Sequence, residues 1–317
     1  MSRFRGEFEL IRRLAARLGE REAADVVGIG DDAAAVLRDG KWLLLTCDIA
    51  VEGRHFRLES AAPADVGWKV ASANVSDIAA CGGKAEYALI SLGVPPHVSE
   101  EQLEELYGGI AEAAQSYGFH VLGGNVSRSR ELIVDVFMTG TAQRFIPRSA
   151  ARPGDRIALS GPLGDSAAGL ELLDVRQRAA AKDHENRLIR SHLRPRARDD
   201  LVELLQRGAS AAIDISDGLS SDAGHLAEAS GVRLELERSR LPVSPDLEAF
   251  ARTRDVAHWK WVLHGGEDYQ ILFTFPREHE PVFEAAGIAV IGEAYAGHGV
   301  YLDGESLIPQ GWDHLAE

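Results

Sequence analysis

The sequence predicts an α/β protein, with α+β as the alternative arrangement of the same elements, and three observations carry that reading. Short apolar runs such as Trp42–Ile49 and Ile271–Phe275 alternate with longer amphipathic segments such as Pro63–Ala80 and Val98–Tyr117. The 317 residues suit two domains or one large one. Punctuation by Ile146-Pro147-Arg148 and Arg152-Pro153-Gly154-Asp155 then sets a boundary near residue 145, dividing the chain into 1–145 and 146–317.

Phe8 to Leu18 has helical spacing and ends at Gly19. Trp42–Ile49 reads as a buried strand that delivers Asp48 at its end. Pro63-Ala64-Asp65 opens a helix that runs to Ala80 and turns Val66, Val70, Val75 and Ile78 inward. Ala85–Val94 is a strand closed by Pro95-Pro96, Val98–Tyr117 a helix, and Phe119–Leu122 a strand ending in Gly123-Gly124. Leu132–Ala142 reads as a strand rich in β-branched residues. After the boundary, Arg156–Ser160 is a strand, and the glycine-rich turn Gly161–Gly169 leads into a helix. Arg187–Leu193 and Arg198–Gln206 have helical character and are separated by Arg194-Pro195-Arg196. Ala211–Ile215 is a strand that presents Asp214, Asp217-Gly218 starts the next helix, and Gly265–Tyr269 is a turn entering Ile271–Phe275.

Composition excludes several classes. A net charge of −15 argues against a nucleic-acid binder, which needs a basic face. No apolar run approaches the roughly 20 residues that span a bilayer, so no membrane association is expected. The N-terminus lacks an apolar signal core, and Cys47 and Cys81 are too few for a disulfide framework. A cytoplasmic protein is the expectation.

Four acidic motifs carry the chemistry: Gly28-Ile29-Gly30-Asp31-Asp32-Ala33-Ala34, Thr46-Cys47-Asp48, Asn74-Val75-Ser76-Asp77 and Asp214-Ile215-Ser216-Asp217-Gly218. Helix capping and turn formation are the ordinary uses of such residues, and they account for Asp155 in its Pro-Gly-Asp turn. They do not account for Asp48 at an apolar strand, or for Asp214 and Asp217 flanking Ser216. Carboxylates gathered together repel and lose hydration, so a cluster of them calls for a cation, and hard oxygen ligands favour Mg²⁺ or Ca²⁺. An incomplete cage of this kind is commonly completed by phosphate, which makes a nucleotide-using enzyme the first hypothesis. Gly28-x-Gly30-x-x-Ala33 formally fits the dinucleotide fingerprint, but Asp25-Val26-Val27 is a poor preceding strand and Asp31-Asp32 would face a pyrophosphate. Neither a P-loop nor a protein-kinase His-Arg-Asp loop occurs.

Read in order, the motifs resemble the thiamine-monophosphate kinase family of the aminoimidazole-ribonucleotide-synthetase superfamily. The matching stretches are Gly6–Ile11, Gly28–Ala34, Val51–Phe56, Asn74–Ala80, Gly123-Gly124, Gly164–Leu170, Asp214–Leu219 and Gly265–Tyr269, covering nearly the whole chain. The resemblance implies a two-domain aminoimidazole-ribonucleotide-synthetase-like fold. Its N-terminal domain would bind ATP and Mg²⁺ and pair with a twin in a homodimer, and its C-terminal α/β domain would complete the site. It implies phosphorylation of thiamine monophosphate by ATP, giving thiamine diphosphate. By the same resemblance Asp32, Asp48, Asp77 and Asp214 would bind several Mg²⁺ ions. Thr46 (hydroxyl) and Cys47 (main-chain carbonyl) would add ligands, and Asp217 would be a further one. Gly124, Asn125, Arg148 and Ser216 would contact ATP, and His55, Glu267 and Trp312 would bind thiamine monophosphate. An aromatic ring and a carboxylate suit its cationic heteroaromatic ring. No catalytic base is expected, because the acceptor oxygen is already anionic.

The family usually reads Gly-Gly-Asp where this chain has Gly123-Gly124-Asn125, so one metal is expected to be held more weakly. Gln270 stands where Glu is common. Alternative readings are another ATP-dependent enzyme of the superfamily, or a relative that binds nucleotide and metal without transfer.

Overall fold

The computed structural model describes residues 6–18, 24–174 and 182–312, so the expected helix stop at Gly19 lies outside the described residues. The first part comprises α1 (Glu7–Leu18), β1 (Val26–Val27), β2 (Ala34–Arg38), β3 (Lys41–Val51), α2 (Pro63–Ala80), β4 (Lys84–Val94), α3 (Glu100–Tyr117), β5 (His120–Arg128) and β6 (Ile133–Ala142). Its sheet runs β1-β2-β3-β6-β4-β5. The second part comprises β7 (Arg156–Leu159), α4 (Asp165–Asp174), α5 (Asp183–Leu193), α6 (Val202–Leu205), β8 (Ala211–Asp214), α7 (Leu219–Ser230) and β9 (Val232–Leu236). It continues with α8 (Pro245–Arg254), α9 (Trp259–His264), β10 (Ile271–Phe275), α10 (Glu280–Ala285), β11 (Ala289–Ala296), β12 (Gly299–Leu302) and β13 (Glu305–Ser306). Here the sheet order is β13-β12-β9-β11-β7-β10-β8.

Helix α2 is the centre of the molecule. Pro63 occupies its first turn, where a missing N–H costs nothing, and Val66, Val70, Val75 and Ile78 enter the core with Leu44, Ile90, Leu106 and Met138. Its crossing with α3 is backbone to backbone: a Cβ at Gly67 would lie 2.0 Å from the Leu106 carbonyl oxygen, and one at Gly109 1.8 Å from that of Ala64. Side chains there would push the helices apart. The C-terminal end of α2 reaches the second sheet, where Ala79 joins Ile146, Ala212, Ile271 and Phe273 in one core. Arg144 and Gln206 clasp the same junction: Arg144 donates to the Ala209 and Leu205 carbonyls, and Gln206 Nε2 to those of Gly82 and Arg144.

Two strands run longer than the sequence suggests. β3 continues past Asp48, because Ile49, Ala50 and Val51 pair with Asp135, Val134 and Ile133 of β6, so Asp48 lies within the ladder and not at its end. β5 continues through Gly123-Gly124 as the parallel edge partner of β4. In both cases ladder pairing overrides the local signal to stop. Among the described residues no helix is long and apolar enough to cross a membrane.

Candidate active site

Three carboxylates converge where α2 meets the second sheet. Asp77 lies on the last turn of α2, Asp214 ends β8, and Asp32 sits in the turn before β2. One oxygen from each lies within 4.8 Å of the others. Hydrogen bonds fix the carboxylates. Thr46 Oγ1 donates to Asp77 Oδ2 at 2.5 Å, and Ser76 Oγ to Asp214 Oδ2 at 2.7 Å. The Arg148 guanidinium pairs with Asp32 Oδ1, and its main-chain N–H donates to Asp31 Oδ2 at 3.1 Å. Asp32 Oδ2 is buried with no hydrogen-bond partner among the described residues.

Electrostatics match the crowding. Burial first, then the charges of Asp48, Asp214 and Asp32, push the Asp77 carboxyl well above its usual range. Burial and Asp32 do the same to Asp214 against the opposing hydrogen bond from Ser76. Asp31 is raised to about 7 by burial and then by Asp32. A donor set made only of hard oxygens, with one buried oxygen orphaned, fits a hard divalent cation.

Asp48 stands beside this cluster, on the same face of β3 as the Thr46 side chain, and its charge is among those raising Asp77 and Asp214. The Cys47 side chain points to the opposite face, where Sγ donates to Asp135 Oδ1 at 3.2 Å, so only its main chain is available to the cluster. Asp48 pairs with Val136, Val136 with Ile90, and Ile90 with Gly124, which puts Gly124 three strand spacings, about 14 Å, from Asp48. There a groove of about 530 Å³ is lined by Ile90, Tyr107, Gly123, Gly124 and Asn125. A Cβ at Gly124 would lie 1.7 Å from the Ile90 carbonyl oxygen, so the position requires glycine. Asn125 is exposed and paired in register with Ser91. Tyr107 escaped the sequence reading, although an aromatic on the acidic stretch Glu104-Glu105-Leu106-Tyr107 was a usable signal.

Just after Asp214 in the chain, three loops interlock. The Glu267 N–H donates to the Ser216 carbonyl at 2.8 Å, and the Trp312 N–H to that of Asp217 at 3.2 Å. Asp222 Oδ2 fixes the turn by accepting from the main-chain N–H groups of Asp217 (3.2 Å) and Gly218 (2.9 Å). His55 accepts the Val51 N–H on Nδ1 at 3.0 Å. Burial of Glu267 is outweighed chiefly by the Lys69 ammonium, which holds its carboxyl below the usual range. Trp312 is half exposed. The structure thus gathers Asp32, Thr46, Asp48, Asp77 and Asp214 in one place. It brings Ser216, Asp217, Glu267 and Trp312 together through main-chain contacts, and sets Gly124 and Asn125 apart at the groove.

Residues the sequence reading passed over complete the Glu267 end. Lys69 Nζ lies 2.6 Å from Glu267 Oε2 and 3.3 Å from His192 Nε2. Burial, then Lys69, lowers His192 to about 4 from its usual 6.5, so the imidazole stays neutral in the fold but protonates below about 6.5 in the unfolded chain. The unfolded state therefore binds more protons across that window, and stability is lost as pH falls through it. We expect a loss of about 3 kcal/mol from this group between its two pKa values, a slope that His192→Gln removes. Urea midpoints measured stepwise from pH 7 to pH 4 check this, and an unchanged slope in the variant would contradict it.

Known proteins share this fold. Residues 30–142 match the family model for the AIR synthase related protein N-terminal domain, and residues 152–304 that for its C-terminal domain. The chain is 43% identical over 310 residues to thiamine-monophosphate kinase of Aquifex aeolicus, covering 98% of both chains. It is 36% identical to that of Bacillus subtilis, covering 88% of this chain and 86% of the relative. The solved structure of AaThiL complexed with AMPPCP and TMP superposes with a TM-score of 0.91 at 42% identity, covering 98% of this chain and 97% of that one. HypE of E. coli, a hydrogenase maturation protein, has a TM-score of 0.64 at 19% identity over 86% of this chain and 85% of its own, a likeness of fold alone. With both halves matched and relatives similar along nearly its whole length, the chain belongs to the thiamine-monophosphate kinase family.

Proposed function

We propose that this protein transfers the γ-phosphoryl group of ATP to the phosphate of thiamine monophosphate, giving thiamine diphosphate and ADP. The observation that carries the reading is the convergence of Asp32, Asp77 and Asp214, with a groove at Gly124 on the first sheet and the Glu267 loop tied to Ser216. The relative with AMPPCP and TMP bound supports it.

In this reading Asp32, Asp48, Asp77 and Asp214 hold Mg²⁺, with Thr46, the Cys47 carbonyl and Asp217 as further ligands. Bound Mg²⁺ supplies neutralisation of the crowded phosphate charge. Thr46 and Ser76 fix the orientation of Asp77 and Asp214 by hydrogen bonds, and Arg148 does so for Asp32. Gly124, Asn125, Arg148 and Ser216 contact the nucleotide, and Tyr107 joins Gly124 and Asn125 at the groove. His55, Glu267 and Trp312 receive the thiamine end. The acceptor phosphate is anionic at neutral pH, so alignment takes the place of a protein base. Asn125 provides an oxygen without charge, which suits a contact to nucleotide better than a strong metal ligand.

A cytoplasmic homodimer, divided into domains at residues 1–145 and 146–317, completes the proposal. The face of the first sheet turned away from α2 exposes Ile49, Tyr87 and Leu89, and along its edge strand β5 Leu122 and Val126 are exposed. An apolar surface of this kind suits a second copy. Sedimentation equilibrium should give twice the 34.3 kDa chain mass, and a monomer at micromolar concentration would refute the pairing.

The decisive experiment is coupled ADP release with ATP, Mg²⁺ and thiamine monophosphate. Turnover dependent on that acceptor supports the kinase. Nucleotide binding without turnover would instead support a non-transferring relative, with Asn125 as its mark.

A further inference from the structure

Lys69 is out of place on its helix. Around it α2 carries Val66, Gly67, Val70, Ala71 and Ala73, and its side chain is only 9% exposed. A buried ammonium is costly without a partner, and its partner is Glu267, which belongs to the other sheet's loop system. Glu267 itself stands at φ +61°, a left-handed conformation that non-glycine residues rarely adopt. Two contacts hold it there: its own N–H on the Ser216 carbonyl, and Lys69 on its carboxylate. His192 backs the pair. Its Nε2 faces Lys69 Nζ, while Nδ1 lies 3.1 Å from Ser166 Oγ. The contacts of Lys69 and His192 with this carboxylate fall on Oε2, so a ligand would be taken by Oε1.

Spacing adds a second argument. Lys69 and Ser76 are seven residues apart and share a face of α2, an axial separation of about 10 Å. One rigid helix therefore fixes Glu267 near its middle and, through Ser76 and Asp77, the carboxylate cluster at its end. A thiamine phosphate is long enough to reach between two such points, with its cationic ring system at one and its phosphate at the other.

We propose that Lys69 is a positioning residue for the acceptor: it holds Glu267 across the domain contact, in the orientation that receives the cationic end of thiamine monophosphate, and takes no part in nucleotide binding. This rests on the reading of the site as a thiamine-monophosphate kinase. The bland alternative is a structural bridge between domains, which would affect stability and both substrates alike.

The test is a double-mutant cycle of Lys69→Met and Glu267→Gln, read by KM for each substrate, kcat, and calorimetric binding of thiamine monophosphate. Lys69→Met is expected to weaken the acceptor about ten- to hundredfold in KM and Kd, with kcat at saturation and the ATP KM retained. Lys69→Arg should recover part of the loss. On the Glu267→Gln background, Lys69→Met should change acceptor affinity no further. Unchanged acceptor affinity in Lys69→Met, a parallel rise in the ATP KM, or full additivity in the cycle would each overturn the proposal. AMPPCP binding and thermal melts report folding. If Lys69→Met alone does not fold, the double variant, which removes both charges, is compared with Glu267→Gln: equal acceptor affinity supports the proposal and a further tenfold loss refutes it. A wild-type protein without thiamine monophosphate turnover removes the functional reading and this one together. Wild-type turnover with an indifferent Lys69→Met removes this one alone.

Discussion

Asp214→Asn is expected to lower phosphoryl transfer at saturating Mg²⁺ on the order of 10²–10³-fold while making the metal-free protein more stable by about 1–2 kcal/mol. Both effects have one cause. Asp214 is 2% exposed at the end of β8, with carboxylate oxygens of Asp32 and Asp77 within 4.8 Å of its own, so its charge is repelled on two sides and poorly hydrated. An amide of the same shape keeps the hydrogen bond from Ser76 and removes the repulsion. It also removes one of the anions that a divalent cation needs. Asp48→Asn separates the two effects, because Asp48 is exposed on β3: turnover should fall comparably with little gain in stability. Coupled ADP release and urea midpoints in EDTA measure the pair. Near-wild-type turnover in either variant would remove the carboxylate cluster from the chemistry, and a less stable Asp214→Asn would contradict the electrostatic account.

The fold was largely legible because α2, α3 and β4 carry strong patterns bounded by Pro or Gly, and β6 and β10 are runs rich in β-branched or aromatic residues. What failed was local. Asp48 looked like a strand end because a charged residue closed an apolar run, yet the ladder to β6 carries three more pairs. Gly123-Gly124 looked like a stop, yet the edge of a sheet tolerates glycines that a central strand would not. β2 and most elements after residue 230 went unread because they are short, although Asp39-Gly40 between Arg38 and Lys41 is a hairpin signal and Val232–Leu236 alternates apolar with charged residues. At the site, the acidic motifs were legible because clustered carboxylates have few structural uses. The partners of Ser76, Lys69 and His192 were not. A serine and a lysine inside a helix read as ordinary surface residues, and only the packing of α2 against the second sheet gives them partners. Long-range pairs of this kind leave no periodic trace in one sequence.

Arg148→Met should cost the metal-free protein about 3–5 kcal/mol, the largest stability loss we expect from a single substitution at the site. The Arg148 guanidinium is the cation paired with Asp32, whose side chain is 1% exposed. Burial works against the arginine's charge, but Asp32 and then Asp31 hold it firmly ionised. Its main chain is tied as well, with the N–H on Asp31 and the carbonyl accepting from Ser230 Oγ, so the substitution leaves the backbone in place and isolates the charge. Without the guanidinium, Asp32 is a buried carboxylate facing Asp77 and Asp214. Urea unfolding in EDTA should show the full loss, and excess Mg²⁺ with nucleotide should recover much of it, because a bound cation neutralises the same carboxylates. A loss of equal size in both conditions would mean that Arg148 stabilises the fold by packing alone. Recovery would show that arginine and metal share one task on Asp32 without excluding each other: the guanidinium takes Oδ1 and leaves the orphaned Oδ2 to the cation.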